Sequence, residues 1–155
     1  MDVYEKLAEL GIELPAPPAA AGAYVSAAPF GENLLYLSGA GPETRDGRFL
    51  YVGKVGRDLS AEEAYKAARS VGVVQLSKLH AALGDLNRVR RIVKVLGFVN
   101  CTDDFERQPA VMNGFSELMV AVFGPEIGSH ARSALGTNSL PAGIPVEVEM
   151  LVEYA

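Results

Sequence analysis

The sequence predicts an α+β fold, in which two long helices pack on one face of a mixed β-sheet. Two amphipathic segments interrupt a series of short apolar runs, which is typical of helices inserted into a strand series. The last apolar run alternates with acidic residues, as expected of a strand with one covered and one open face. The chain has 155 residues, of which 49% are hydrophobic. We therefore expect one domain spanning residues 1–155 with its own core.

Composition limits the classes of partner. The formal net charge of −5 and the pI of about 5.0 give no general attraction to nucleic acid or anionic membranes. The basic cluster Arg88, Arg90 and Arg91 has no interleaved aromatic residues, so a solvated strand end is favoured over an RNA site. One cysteine, Cys101, and two histidines predict neither an intrachain disulfide nor a metal site. The first residues do not resemble a signal peptide and no run reaches membrane-helix length, so a cytoplasmic protein is expected.

The N-terminal residues 1–22 read as a short helix followed by an extended connector. Val3, Leu7 and Leu10 share one helical face, and Gly11 stands where a C-terminal cap is expected. The Pro- and Ala-rich connector after it is predicted to lie across the surface.

The next segment predicts a β-hairpin. Apolar runs at 24–30 and 33–38 are separated by Gly31-Glu32, and Gly31 can adopt a positive φ. The second run ends in Ser38-Gly39-Ala40-Gly41-Pro42, whose glycine spacing fits no dinucleotide fingerprint. Such glycines indicate that something approaches the backbone closely at the end of this strand. The sequence does not decide between a ligand, a neighbouring subunit and packed side chains. A turn at 45–48 and a third strand at 49–55 are expected to follow.

Two long helices are predicted. Ser60 and Glu63 form a capping box at the start of the first helix, which ends at Gly84. Gly72 in its middle is explained if the helix closely approaches the sheet. After a buried strand at 87–99, the second helix begins at Pro109 and ends at Gly124-Pro125.

The C-terminal stretch 128–153 carries the candidate site. His130 and Arg132 are two residues apart, so an extended backbone points both side chains to one face. In the last strand the acidic residues lie opposite the apolar parity; they are Glu147, Glu149 and Glu153. A cation, an imidazole and carboxylates can therefore meet. The alternatives are a solvated ion pair, a structural histidine and a wet acidic strand face.

One face of the predicted sheet has no cover within the chain. Such a face is commonly buried by oligomerisation, which would also place a site between subunits.

Three segments, AYVSAAPFGENLLYLSG, DFERQPAVMNGFSELMVAVFG and ARSALGTNSLPAGIPVEVEM, resemble the reactive intermediate deaminase superfamily, also called YjgF-like. The most specific part is the order Arg-Ser, Leu-Pro and Val-Glu-Val-Glu near the end. The resemblance runs from about Tyr24 to the C-terminus. It implies a chorismate-mutase-like fold and a homotrimer with a ligand cleft at each subunit interface.

The resemblance also implies a chemistry and its residues. Deaminase members hydrolyse reactive enamine or imine acids to 2-keto acids and ammonia without a metal or an organic cofactor. By this resemblance Arg132 would hold the substrate carboxylate and Glu147 would position or activate the attacking water. Substrate-binding positions are then expected at Tyr24, Ser38, Gly39 and Asn113, with His130 beside Arg132. From the pattern of the helix alone, Asn113 is predicted to be exposed to solvent.

The chain departs from the deaminase pattern at two positions. It has Ala134 where well-studied deaminases carry Cys, and Ala40 where Gln is usual. It also has an N-terminal extension and the sequence Gly-Ser-His-Ala ahead of Arg132. These features resemble a longer branch often labelled as putative translation inhibitors or endoribonucleases. The sequence therefore leaves three functions open. A deaminase is favoured, a non-catalytic binder of small carboxylates is second, and an endoribonuclease is third.

Overall fold

Five strands form the central sheet of the structure, a computed structural model that describes residues 1–155. The sheet order is β1-β2-β7-β5-β6, and β3 with β4 forms a separate small hairpin. All pairs in the large sheet are antiparallel except β5 with β6, which is parallel. The strands are β1 (Ala27–Phe30), β2 (Leu34–Ala40), β3 (Thr44–Arg45), β4 (Arg48–Phe49), β5 (Val89–Asn100), β6 (Ala131–Thr137) and β7 (Val146–Tyr154).

Three helices complete the fold, α1 (Val3–Glu9), α2 (Ala61–Leu83) and α3 (Gln108–Gly128). Helices α2 and α3 pack against each other and cover one face of the sheet, as the sequence predicts. On this covered face the β7 residues Val146, Val148 and Val152 are fully buried. The predicted α+β architecture with a mixed sheet is therefore confirmed.

The start of α2 follows the predicted capping box. The Ser60 hydroxyl accepts from the Glu63 amide at 3.1 Å, and the Glu63 carboxylate accepts from the Ser60 amide at 2.9 Å. Gly84 ends the helix in the left-handed region with φ of 77°. A Cβ on Gly72 would lie 2.8 Å from Leu118 Cδ2, so this glycine admits α3 and not the sheet. The predicted close approach at Gly72 is confirmed, but the element that approaches is α3 and not the sheet.

Of two other expected element boundaries, that of the third strand is wrong. Of the predicted strand 49–55 only Phe49 lies in a strand, as the last residue of β4. Gly53 and Gly56 turn the chain with φ of 131° and 92°, so the apolar residues around them do not extend. The predicted end of the second helix at Gly124-Pro125 is confirmed, because Gly124 is non-helical with φ of 81° and ψ of 164°, and a further turn of α3 runs from Pro125 to Gly128 beyond this kink.

The N-terminal segment packs against α3 and also contacts α2. Val3 and Leu7 are buried, and the Tyr4 hydroxyl lies 2.8 Å from His80 Nδ1. Beyond α1, the connector crosses the surface as predicted, and the Ser77 hydroxyl donates to the Pro15 carbonyl. None of the helices is sufficiently long and apolar to span a membrane.

The second face of the sheet carries no helix. This open face is defined by the side chains that alternate with the covered ones: Leu34, Tyr36, Lys94, Leu96, Phe98, Leu135, Glu147, Glu149, Leu151 and Glu153. Tyr36 and Leu135 are 42% and 49% exposed. The face therefore mixes large apolar groups with carboxylates, as expected of a surface that lacks a cover within the chain.

Candidate functional site

The structure places the predicted site residues in two groups. The first, named here the Arg132 cluster, consists of Arg132, His130, Asn113 and Ser116 where β6 meets α3. Arg132 Nη1 donates to Asn113 Oδ1 at 2.9 Å and to Ser116 Oγ at 3.1 Å. Arg132 Nη2 reaches the Pro109 carbonyl at 3.4 Å. Arg132 and His130 therefore share a face, as the spacing on an extended strand predicts.

The hydrogen bonds of His130 define where its proton lies. Its Nδ1 is 2.7 Å from the Gly128 carbonyl, which can only accept, so Nδ1 carries the hydrogen. Its Nε2 is 2.8 Å from Ser116 Oγ and accepts the serine hydrogen when the ring is neutral. Ser116 Oγ in turn accepts from Arg132. The chain of contacts from Gly128 to Arg132 is thus complete, and it orients the guanidinium.

Burial lowers the pKa of His130, and the charge of Arg132 lowers it further, against the opposing effect of the Gly128 hydrogen bond. His130 is therefore neutral at physiological pH, in agreement with its hydrogen-bond pattern. A neutral imidazole beside Arg132 leaves the guanidinium as the one cation of the cluster.

Arg132 has no carboxylate within salt-bridge distance. Its Nη1 is fixed by neutral partners on α3, while Nε makes no hydrogen bond and Nη2 has one long contact. An oriented, uncompensated guanidinium at a partly exposed position is suited to binding a carboxylate ligand.

The second group, named here the Glu147 group, lies on the open face and consists of Glu147, Glu149, Tyr36 and Gly39. Burial raises the pKa of Glu147, and the nearby Glu149 raises it further, while Lys78 acts in the opposite direction. Burial and the charge of Glu149 also raise the pKa of Tyr36. A half-buried carboxyl with a raised pKa is a candidate general acid or base.

A bulge in β2 brings Gly39 against Glu147. The register of β2 on β7 shifts between Leu37 and Ala40, and a Cβ on Gly39 would lie 3.1 Å from Glu147 Cδ. The Ser38 carbonyl is held by two side chains of α2, Gln75 at 3.1 Å and Lys78 at 2.6 Å. The backbone at Ser38-Gly39 is therefore approached by the Glu147 carboxylate on one side and by the buried Lys78 amine on the other.

Ser38 and Tyr24 flank this bulge. The Ser38 hydroxyl donates to the Val25 carbonyl at 2.6 Å, so it fixes the chain that leads into β1. Tyr24 is 52% exposed, and its hydroxyl accepts from the Ala21 amide at 3.1 Å. Tyr24 and Gly39 both line a cavity of about 260 Å³ beneath the connector.

The two groups do not meet within one chain. Arg132 contacts α3 and so lies on the covered side, whereas Glu147 alternates with buried Val146 and Val148 and lies on the open face. Strand β5 also separates β6 from β7. The expectation that the cation, the imidazole and the carboxylates come together is thus met only for Arg132 and His130.

Sequence reasoning missed Ser116, Tyr36 and Lys78. Ser116 lies three residues after Asn113, so helical spacing could have placed it on the face that meets Arg132. Tyr36 carries no such signal, because its neighbour Glu149 belongs to a strand far along the chain. Asn113 is exposed, as predicted from the helix alone, yet it binds Arg132.

The arginines of the basic cluster mostly contact their own chain. Arg88 donates to the carbonyls of Ala155 and Leu83, and Arg91 faces Glu153 at 4.0 Å. Two of the three arginines are therefore engaged by the chain itself. No group of three or more His, Cys, Asp or Glu residues is placed to hold a metal ion.

Comparison with known proteins gives consistent matches along the whole chain. Residues 4–153 match the family described as "YjgF/chorismate_mutase-like, putative endoribonuclease". Protein TCP17 of Trypanosoma cruzi is 44% identical over 151 residues, which cover 97% of this chain and 93% of that protein.

Solved structures show the same likeness. Atu1372 of Agrobacterium tumefaciens, a protein of unknown function, has a TM-score of 0.88 at 40% identity, covering 99% of this chain and 92% of that one. RidA of the Antarctic bacterium Psychrobacter sp. PAMC 21119 has a TM-score of 0.55 at 26% identity, covering 89% of this chain and 93% of that one. The names attached to these proteins differ, whereas the fold and the extent of the match agree.

Proposed function

The chain belongs to the YjgF/chorismate mutase-like family, and from this premise we propose that it is a cofactor-free hydrolytic deaminase of small enamine or imine acids. The observation that carries the proposal is the pair of complementary groups on one sheet. Arg132 is an oriented cation without a counter-ion, and Glu147 is a half-buried carboxyl with a raised pKa.

The proposed active site lies between subunits of a homotrimer. Since Arg132 and Glu147 lie on different sides of their own sheet, they can share a ligand only if each comes from a different chain. The open face supplies the apolar surface that such an assembly would bury, with Tyr36 and Leu135 exposed on it. A cyclic trimer repeats one such contact three times and closes on itself.

In this site Arg132 binds the carboxylate of the substrate through two parallel N–H donors. Glu147 of the neighbouring subunit accepts a proton from water as the water oxygen bonds to the imine carbon. The protonated Glu147 then returns that proton to the nitrogen, which gives a neutral carbinolamine. Glu147 next transfers the hydroxyl proton of this intermediate to the nitrogen, so the nitrogen leaves as ammonia while the carbon–oxygen double bond forms. Imine acid and water thus give 2-keto acid and ammonia, with no electron acceptor required.

The remaining named site residues have supporting roles in the proposal. Asn113 and His130 hold Arg132, the latter through Ser116. Gly39 leaves space for the Glu147 side chain, and Ser38 and Tyr24 shape the wall beside it.

A non-catalytic carboxylate-binding protein is the second candidate, and the Arg132 cluster favours it equally, because capture of a carboxylate needs only this half of the site. The endoribonuclease name in the family description has less support here. The net charge is −5, and Arg88 and Arg91 of the basic cluster have partners within the chain.

Ammonia release from freshly generated 2-aminoacrylate tests the proposal. We expect the protein to accelerate release and Arg132→Ala to abolish most of the acceleration. Arg90→Ala, which removes an exposed arginine of the same charge, is the matched control and should leave the rate unchanged. A protein that binds 2-keto acids through Arg132 without accelerating release would instead be a carboxylate binder.

A further inference from the structure

Lys78 on α2 is a buried amine that the proposed deaminase chemistry does not use. Only 5% of the residue is exposed. It lines the cavity of about 260 Å³ beneath the connector and also a neighbouring cavity of about 460 Å³. Its ammonium group is therefore removed from bulk water but borders space that a small molecule can occupy.

Comparison with Lys54 shows what Lys78 lacks. Lys54 Nζ donates to Asn100 Oδ1 at 2.9 Å, to the Cys101 carbonyl at 3.4 Å and to the Asn138 carbonyl. Those three acceptors match the three hydrogens of an ammonium group. Lys78 Nζ has a single acceptor, the Ser38 carbonyl at 2.6 Å, and no carboxylate within salt-bridge distance. A buried ammonium with one acceptor is poorly compensated.

The surroundings of Lys78 favour its neutral form. The cavity wall includes Pro15, Pro18, Phe49 and Val74, which cannot stabilise a charge. Burial lowers the pKa of Lys78 to about 8, against the opposing charge of Glu147. At pH 7 about one-tenth of such amines are neutral, compared with about one in 2,500 for an ordinary lysine of pKa about 10.4.

We propose that Lys78 is a nucleophilic amine that forms an imine with a small neutral aldehyde or ketone held in the cavity beneath the connector. The Nζ lone pair bonds to the carbonyl carbon, and the carbonyl oxygen gains a proton as the nitrogen loses one. Loss of water then forms the carbon–nitrogen double bond, so the step needs no oxidant or reductant. A desolvated lysine in an apolar pocket is a recognised form of activated nucleophile.

The charges around the cavity select against acids. Besides Lys78 and the phenol of Tyr24, the ionisable group on the wall is Glu43, and no other cation lines the cavity. Once Lys78 has formed an imine, no second cation remains on the wall to hold a carboxylate. The class of ligand is therefore a neutral carbonyl compound, which distinguishes this site from the carboxylate-binding cleft proposed above, although Tyr24 and Gly39 border both.

Reductive trapping tests the proposal on the intact protein. The protein is treated with limiting propanal and sodium cyanoborohydride at about pH 7, and the modified lysines are quantified by peptide mapping. We expect the peptide with Lys78 to be propylated at least about ten-fold faster than the one with Lys66, an exposed lysine of the same helix. The N-terminal amine, whose ordinary pKa is near 8, is scored separately.

Three controls sharpen the result. Lys54, held by three acceptors, should react more slowly than Lys78. Glyoxylate in place of propanal should lose the preference for Lys78, because the cavity offers no partner for its carboxylate. Lys78→Arg should remove the fast label, and Arg132→Ala should keep it while most ammonia release is lost, which separates this proposal from the deaminase. Modification of Lys78 no faster than Lys66 in the wild-type protein would overturn it.

Discussion

The Arg132 cluster and the Glu147 group differ in how far their own chain completes them. Arg132 is oriented by Asn113 and Ser116, and Ser116 is tied through His130 to the backbone. Glu147 has Gly39 beside it and a second carboxylate nearby, but the structure gives it no hydrogen-bond donor. The folded chain thus prepares the cation for a ligand and leaves the carboxylate on an open surface. In the proposed site, therefore, the fold alone orients Arg132, whereas Glu147 would be completed by a neighbouring subunit.

The largest effect is expected at the carboxylate. Glu147→Gln keeps the shape of the side chain but removes its basicity, so turnover should fall by about 100-fold or more while affinity for a 2-keto acid is largely kept. Steady-state ammonia release and calorimetry measure the two quantities. Equal losses of both would show that Glu147 contributes to binding and not to proton transfer.

At the cation the expected loss is in binding. Arg132→Lys keeps the charge but removes the two-pronged geometry, and it also loses the contacts to Asn113 and Ser116. Affinity for a small 2-keto acid should fall about ten- to hundred-fold, measured by calorimetry. Unchanged affinity would mean that the ligand carboxylate binds elsewhere.

A mixture of two inactive variants tests whether the halves come from different chains. Arg132→Ala and Glu147→Gln, co-assembled in equal amounts, should recover about a quarter of wild-type turnover, because that fraction of interfaces combines an intact arginine with an intact glutamate. Each variant alone serves as the control. No recovery in verified mixed trimers, or a stable monomer at the 16.5 kDa chain mass by ultracentrifugation, would exclude the shared site.

A smaller effect is expected at Gly39. Gly39→Ala adds a Cβ about 3.1 Å from Glu147 Cδ, which should displace the carboxylate and reduce turnover about ten-fold with little change in thermal stability. Gly22→Ala is the matched control, since its Cβ would be at an ordinary 3.6 Å from Tyr24. A large loss of stability in Gly39→Ala would instead mark the bulge as a packing feature.

The smallest effect concerns the pH dependence of the Arg132 cluster. Folding lowers the pKa of His130, so the unfolded chain takes up a proton first as the pH falls. The stabilising contribution is present above the ordinary pKa of about 6.5 and is lost as the pH falls below it. Thermal unfolding at about pH 7.5 and 5.5 should show a smaller loss of stability in His130→Gln than in the wild type. An identical loss in both would contradict the neutral, buried imidazole.

Local patterns in the sequence predicted the elements better than their neighbours in space. The capping box at Ser60 and Glu63, the alternation of β7 and the shared face of His130 and Arg132 all depend on residues close together in the chain, and the structure has them. The predicted third strand fails at Gly53 and Gly56, because apolar alternation does not reveal a positive φ.

The sequence did not predict which elements lie next to each other in space. The pairing of β5 between β6 and β7 decides that Arg132 and Glu147 lie apart, and no local pattern encodes strand order. Lys78 likewise looks like an ordinary helix residue, because its burial comes from the connector and from the bulge in β2. A resemblance to a family indicated Arg132 and Glu147 as the proposed site residues, and the structure shows that they lie on opposite sides of the sheet within one chain.

The kink at Gly124 has a consequence for the placement of a single hydrogen atom. Because Gly124 adopts φ of 81°, α3 makes a further turn that ends at Gly128, whose carbonyl faces His130 Nδ1 at 2.7 Å. A backbone geometry that favours glycine therefore selects one tautomer of an imidazole further along the chain. The conformation of Gly124 thus determines which nitrogen of His130 donates and which accepts. Through Ser116, His130 in turn helps to orient the guanidinium of Arg132.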